Sequence, residues 1–192
     1  MKLLVLGGSF NPIHLGHLML AEEVAQEFSY DRIMLVPSLK PPHKTLGQDP
    51  GPAARLGMVR AAVEGNQKYL IDTCELERPG LSYTYETLEH VIAAFPMDGK
   101  PGLVIGDDLA AGFSSWRNPE GVIQLADLIL ARRGGDPSPL HFRHRVAHNL
   151  LFPVSSTDIR SRIAAARPWR WLVPAPVAQY IEDHELYRVA RA

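Results

Sequence analysis

Short, uniformly apolar runs alternate along this chain with longer stretches of helical period. Leu3-Leu4-Val5-Leu6, Ile33-Met34-Leu35-Val36, Leu103-Val104-Ile105 and Leu128-Ile129-Leu130-Ala131 are apolar throughout, as strands covered on both faces should be. Tyr69 to Cys74 alternates instead and predicts the third strand in chain order, and Leu150-Leu151-Phe152 predicts a sixth. Between them, Leu15 to Phe28 sets Leu18, Ala21, Val24, Ala25 and Phe28 on one helical face. Arg55 to Val63 and Thr84 to Phe95 repeat the pattern, and a shorter helix is predicted over Glu120–Ala126. Strands alternating with helices of this length predict an α/β fold, a doubly wound parallel sheet with crossover helices.

Pro37 to Pro52 carries five prolines, which serve neither a ladder nor a helix interior, so it reads as a long loop. Gly134 to Pro139 is a second cluster of breakers. Beyond it, helices are predicted from Ser155 to about Arg167 and from Pro174 to His184. The expectation is one domain over residues 1–192, with a helical C-terminal subregion from about residue 155.

Composition narrows the function classes. The 192 residues are 46% hydrophobic and 21% charged, which excludes general disorder. Twenty basic side chains stand against twenty-one acidic ones, for a net charge of −1. A surface that neutral does not displace the counterions of a long nucleic acid, so no nucleic-acid partner is expected. Cys74 is the single cysteine, which excludes an internal disulfide and suits a reducing compartment. The apolar run at Leu3–Leu6 is too short for a signal-peptide core or a membrane span, so a cytoplasmic chain without a membrane partner is expected. A homo-oligomer stays open.

The unusual residues fall at the predicted carboxyl ends of the strands, where open parallel sheets bind ligands. Gly7-Gly8-Ser9-Phe10-Asn11-Pro12-Ile13-His14-Leu15-Gly16-His17 follows the first strand and Pro41-Pro42-His43-Lys44 the second. Ser82-Tyr83-Thr84 comes shortly after the third, and Gly106-Asp107-Asp108 follows the fourth. Arg132-Arg133 follows the fifth, and Ser155-Ser156-Thr157-Asp158-Ile159-Arg160 the sixth. Lys44, Arg132, Arg133 and Arg160 supply fixed positive charge, while His14, His17 and His43 add donors. Helix starts expose backbone N–H groups that suit phosphate oxygens. No serine or cysteine stands in a nucleophile turn of the G-x-S-x-G kind, so the residues favour phosphate handling by position and charge.

Each motif also has a plainer account. His14 and His17, three apart at a helix start, can face one ligand or simply be two exposed imidazoles. Gly16 between them removes a side chain where a bulky group approaches. Ser155 to Asp158 is a good N-cap whether or not it binds phosphate. Arg160, a cation in a helical first turn, runs against the macrodipole and makes sense if an anion sits there. Arg132-Arg133 has the look of a solvated basic pair, and Trp116 suits the core as well as a stacking platform. Asp107-Asp108 suits Mg²⁺, sugar hydroxyls or a mere turn at a strand end. His141, His144 and His148 would share a helical face, but without a nearby cysteine and in a basic context they do not make a zinc site. No resident metal is assigned, and Cys74, with no adjacent base, reads as a strand residue.

Gly8-Ser9-Phe10-Asn11-Pro12-Ile13-His14-Leu15-Gly16-His17 resembles the (S/T)F-x-P-x-H-x-G-H signature of the nucleotidyltransferase superfamily, as does Val154 through Arg160 its second signature. Pro41-Pro42-His43-Lys44, Ser82-Tyr83-Thr84, Gly106-Asp107-Asp108, Trp116, Arg132-Arg133 and the ending from Val173-Pro174 to Leu186-Tyr187-Arg188 look like one branch, the bacterial nicotinate-nucleotide adenylyltransferases. The resemblance covers nearly the whole chain. It implies a Rossmann-like doubly wound parallel sheet of five to six strands, and transfer of AMP from ATP to nicotinate mononucleotide in NAD biosynthesis. It implies that His14, His17 and Arg160 are catalytic. It further implies that Gly8, Ser9, Phe10, Asp108, Ser156 and Thr157 hold ATP together with these. His43, Lys44 and Arg133 would face the mononucleotide phosphate, Thr84 and Trp116 the pyridine ring, and Arg117 the nicotinate carboxylate through its backbone. Mg²⁺ would travel on ATP.

Three other readings bear on the same residues. Phosphopantetheine adenylyltransferase shares the first signature but not the Pro-Pro-His-Lys, Ser-Tyr-Thr or Arg-Arg features. A nicotinamide-dependent oxidoreductase needs G-x-G-x-x-G after the first strand, and Gly7-Gly8-Ser9-Phe10 breaks that spacing. A catalytically silent nucleotide sensor would carry no need for His14, His17 and Arg160 together.

Overall fold

The computed structural model describes residues 1–42, 46–134 and 140–188. Six parallel strands form one sheet: β1 (Leu3–Gly8), β2 (Arg32–Pro37), β3 (Tyr69–Ile71), β4 (Gly102–Gly106), β5 (Asp127–Ala131) and β6 (Arg145–Val146). Their order across the sheet is β3-β2-β1-β4-β5-β6. The chain therefore winds outward from β1 in one direction and then, from β4, in the other. The crevice at this reversal lies over the carboxyl ends of β1 and β4.

The helices are α1 (Leu15–Glu27), α2 (Pro52–Val63), α3 (Cys74–Glu77), α4 (Thr84–Ala94), α5 (Pro119–Leu125), α6 (Ser156–Ala164) and α7 (Ala175–Asp183), with 3₁₀ segments at Asp107–Ser115 and Arg170–Leu172. Side chains alternate across each strand, so the apolar runs feed two cores. Leu4, Leu6, Ile33, Leu35 and Ile129 face one side, where α1, α2, α6 and α7 bring Val24, Met58, Ile159 and Ile181. Leu3, Val5, Met34, Val36, Leu103, Ile105 and Leu128 face the other, against Leu88 and Val91 of α4, Val122 of α5 and Phe113. Helices on both faces explain why the interiors of the central strands are apolar. The C-terminal helices belong to the first core, since Val177, Ala178 and Ile181 are buried in it.

Two strand assignments and one helical face need correction. The third strand stops at Ile71, and Cys74 opens α3 instead of lying in the ladder. Asp72 causes the break, its Oδ1 accepting the Cys74 N–H at 2.8 Å in a local turn. The sixth strand is Arg145–Val146, and Leu150-Leu151-Phe152 runs past it, with Leu150 60% exposed. Asn149 ends the pairing: its Oδ1 accepts the Arg132 N–H at 2.8 Å and its Nδ2 donates to the Arg132 carbonyl at 2.9 Å. A side chain thus takes the backbone groups that the next ladder rung would need. Finally, His141, His144 and His148 share no helix. His144 Nδ1 lies 2.7 Å from the Phe142 carbonyl, and His148 pairs with Glu27 at 2.7 Å.

The helix after Ser155 ends at Ala164, short of Arg167, because Ala166 turns into the left-handed region at φ 51°. Most of the Gly134–Pro139 cluster lies outside the described residues.

Candidate active site

Level strand ends define the rim. Gly8 of β1 pairs in register with Pro37 of β2, and Gly106 of β4 with Ala131 of β5. From Gly8 the chain turns through Phe10, whose φ is 46°, and a cis Asn11–Pro12 bond into the start of α1. His14 occupies the N-cap of α1 in extended conformation. The His17 Nδ1 accepts the His14 backbone N–H at 3.2 Å, so the second histidine caps the helix that carries it. The two imidazoles stack, with centroids 3.7 Å apart and planes 28° from parallel. Phe10 meets His17 edge-on at 5.2 Å. His14 is buried and His17 half-buried, so His17 is the more accessible of the pair.

Gly16 answers to packing. A Cβ there would stand 2.8 Å from Val154 Cγ1 and 3.1 Å from the His14 ring. The bulky neighbours are thus protein groups, from the segment before α6 and from the histidine itself.

The start of α6 abuts this turn. Ser155 caps the helix, its Oγ accepting the Asp158 N–H at 3.0 Å, and Ser156 Oγ donates to the Pro12 carbonyl at 2.9 Å. The buried Arg160 donates from Nη1 to the Asn11 carbonyl at 2.8 Å and from Nη2 to Thr157 Oγ1 at 3.2 Å. Its Nε has no acceptor among the described residues. Burial lowers the Arg160 pKa, yet a guanidinium keeps its charge. A buried cation with an idle donor, at a positive helix end, is a poor arrangement unless an anion approaches. Two helix N-termini, the stacked imidazoles and Arg160 therefore share one corner.

Sequence reasoning missed Arg55, the residue that frames this corner. Fully buried in the first turn of α2, it donates from Nη1 to the carbonyls of Ser9 at 2.9 Å and Ser38 at 2.6 Å. Its Nη2 reaches the Leu39 carbonyl at 3.2 Å and its Nε pairs with Asp49 at 3.0 Å. One guanidinium thereby ties the turn after β1 to the loop after β2. The available signal was the one read at Arg160, a cation in a helical first turn, here hidden among alanines. Asn11 and Tyr187 stand in the quoted motifs without an assigned role, and the structure joins them, the Tyr187 hydroxyl donating to Asn11 Oδ1 at 2.7 Å.

On the β2–β3 side, Ser82 Oγ accepts the N–H groups of Leu39 at 3.0 Å and Lys40 at 3.3 Å, which holds the loop after β2 against the start of α4. Thr84 is the first residue of α4. His43 and Lys44 lie outside the described residues. Arg117 pairs with Glu86 at 2.9 Å and stacks its guanidinium 4.7 Å from the Tyr83 ring centroid, beside Thr84. Trp116 ends the 3₁₀ segment after β4 and packs at 4.9 Å on Phe113, half-buried.

Across the crevice, Asp107 and Asp108 take different tasks. Asp107 Oδ1 accepts the Arg133 N–H at 2.9 Å, joining the ends of β4 and β5. Asp108 instead meets the Arg133 guanidinium at 3.3 Å in solvent. Gly106 permits both, because a Cβ there would lie 2.5 Å from Arg133 Cδ and overlap the Asp108 carboxylate. Arg132 and Arg133 are exposed. The sequence-derived residues thus form one group around β1, α6 and α2, linked by Ser82 to the start of α4. A second group stands at the ends of β4 and β5.

The class is that of the cytidylyltransferase-like nucleotidyltransferases, whose family model matches residues 5–162, a span that reaches all six strands of the sheet. The chain is 37% identical over 188 residues to a probable nicotinate-nucleotide adenylyltransferase of Borrelia garinii, covering 97% of this chain and 95% of that one. A protein of the same name from Treponema pallidum is 34% identical, covering 98% and 100%. The chain belongs to the nicotinate-nucleotide adenylyltransferase family. Among solved structures it superposes on a putative nicotinate-nucleotide adenylyltransferase of Vibrio parahaemolyticus with a TM-score of 0.72 at 21% identity, covering 98% of this chain and 96% of that one. It superposes also on the Plasmodium falciparum nicotinic acid mononucleotide adenylyltransferase complexed with NaAD, with a TM-score of 0.71 at 19% identity and 97% of each chain covered. At such identities the superpositions establish the fold. No helix among the described residues is long and apolar enough to cross a membrane.

Proposed function

We propose that this chain transfers AMP from ATP to nicotinate mononucleotide, forming nicotinate adenine dinucleotide and releasing pyrophosphate. One observation carries the reading: the stacked His14–His17 pair and the buried Arg160 sit together at two helix N-termini beside the strand-order reversal. A phosphate oxygen of the mononucleotide attacks the α-phosphorus in line. A new P–O bond forms, and the bond to the bridging oxygen breaks as pyrophosphate takes its electron pair. Such a transfer needs placement and charge neutralisation from the protein, with no covalent intermediate.

In this scheme His17 and the idle Arg160 Nε meet phosphate oxygens as charge moves onto the leaving group, while Ser156, Thr157 and the backbone of Gly8–Phe10 position the triphosphate. The donors at this corner are imidazoles, hydroxyls and a guanidinium, which suit phosphate rather than a hard cation. The oxygen ligands for Mg²⁺ therefore come chiefly from ATP itself, where the ion supplies further charge neutralisation. Asp108, across the crevice, would take the ribose hydroxyls and Arg133 the acceptor's phosphate; His43 and Lys44 are assigned to that phosphate from the sequence alone. Thr84, Trp116 and Arg117 line the pyridine side. A lone reduced thiol and the use of ATP fit a cytoplasmic setting.

The test is a pyrophosphate-release assay with ATP and, in turn, nicotinate mononucleotide, nicotinamide mononucleotide and phosphopantetheine. Fastest release with the first supports the reading. Preference for phosphopantetheine, or no release with any acceptor, overturns it.

A further inference from the structure

At the free edge of the sheet, away from the histidine pair, three chemically different side chains converge. Asp72 follows β3, Cys74 opens α3, and His90 projects from α4. A carboxylate oxygen, the Cys74 Sγ and a His90 ring nitrogen lie within 4.8 Å of one another. Asp72 and Cys74 are buried, whereas the His90 side chain is 45% exposed, so the cluster opens to solvent on one side. His90 Nε2 stands 3.2 Å from Asp72 Oδ2.

We propose that Asp72, Cys74 and His90 form a binding site for one thiophilic divalent transition-metal ion of the Zn²⁺ type, with water as the fourth ligand. The donor set of one thiolate, one imidazole and one carboxylate is a tetrahedral zinc set, and its sulfur discriminates against Mg²⁺. The dimensions agree. Ligands at zinc-like bond lengths of about 2.0–2.3 Å stand about 3.3–3.6 Å apart at tetrahedral angles. The His90–Asp72 separation already has nearly that length, and the thiol needs to move by only about an ångström. A backbone anchor fixes the geometry, since Asp72 Oδ1 receives the Cys74 N–H at 2.8 Å and leaves Oδ2 for the ion. Burial beside Asp72 raises the Cys74 pKa, so without metal the group is a neutral thiol. On binding, the S–H proton leaves to solvent and a metal–sulfur bond replaces it.

Such an ion would pin α3 and α4 to the sheet edge. α4 begins at Thr84, and Ser82 just before it holds the loop after β2, so occupancy would stiffen the acceptor side of the crevice. This site needs none of the residues assigned to AMP transfer, and its test does not read that activity.

Chelator-treated full-length protein is titrated with Co²⁺ and followed by visible absorption. The expected result is a sulfur-to-cobalt charge-transfer band that saturates at one equivalent and is bleached by Zn²⁺. Cys74→Ser should abolish the band, and His90→Ala, at an exposed position that leaves the fold intact, should weaken Co²⁺ binding at least tenfold. Zn²⁺ should raise Tm in the native chain and not in His90→Ala. Absence of the charge-transfer band, cobalt bound only through nitrogen and oxygen, or affinity unchanged in His90→Ala would each overturn the proposal.

Discussion

Two guanidiniums and two imidazoles carry most of the consequence at the scale of single residues. His17 caps α1 through one ring nitrogen and stacks on His14, so its replacement removes a donor while the helix keeps its backbone bonds. His17→Ala is expected to lose kcat by about 10²–10³-fold, the usual cost of one oriented donor, with an unchanged circular dichroism spectrum. Near-normal turnover would remove His17 from the chemistry. Arg55 behaves differently because it is fully buried and satisfies three carbonyls. Arg55→Met leaves those carbonyls without a donor, at about 1–3 kcal/mol for each buried group. The expected outcome is a loss of about 3–5 kcal/mol in urea unfolding, with KM for ATP rising in whatever fraction stays folded. The contrast explains what was legible. His14, His17 and Arg160 stand out because their types are unusual at a helix start, whereas Arg55 looks like one surface charge among alanines until its carbonyl partners, 16 to 46 residues away in sequence, are known.

Helices and strands were readable where burial was two-sided. β1, β2, β4 and β5 all coincide with uniformly apolar runs, and helices cover both faces of them. The edges were not so readable. β3 and β6 have three and two residues and end where a side chain, Asp72 or Asn149, captures backbone groups, an event that leaves no hydrophobic signature. Packing between elements can likewise reverse a local preference. Gly57 lies inside α2, where alanine would ordinarily gain about 1 kcal/mol in helix propensity. A Cβ there would overlap the Tyr180 ring of α7, so close approach decides the sign. Gly57→Ala should destabilise by about 1–3 kcal/mol in urea unfolding, and most of that cost should vanish in a Tyr180→Ala background. Additive effects of the two substitutions would show that α2 and α7 tolerate the extra methyl elsewhere.

The whole molecule joins distant parts of its chain at one corner. Asn11 receives Arg160 on its carbonyl and Tyr187 on its side chain, so the turn that presents the histidines is buttressed by α6 and by the segment after α7. α7 also fills the first core with Val177, Ala178 and Ile181. A chain cut before Ala175 should therefore fail to unfold cooperatively and should bind a hydrophobic dye, as measured by calorimetry and fluorescence. Tyr187→Phe is milder: it deletes one buried hydrogen bond, at about 1 kcal/mol, and should disturb ATP binding more than the fold.

The Asn11–Tyr187 bond also sets an order of events during synthesis. The turn from Gly8 to His14 is synthesised long before Tyr187 and lacks its buttress until that residue has emerged. A ribosome stalled short of Tyr187 should hold a nascent chain with much of its sheet paired and its histidine-bearing turn unsettled, unable to retain ATP until Tyr187 is added.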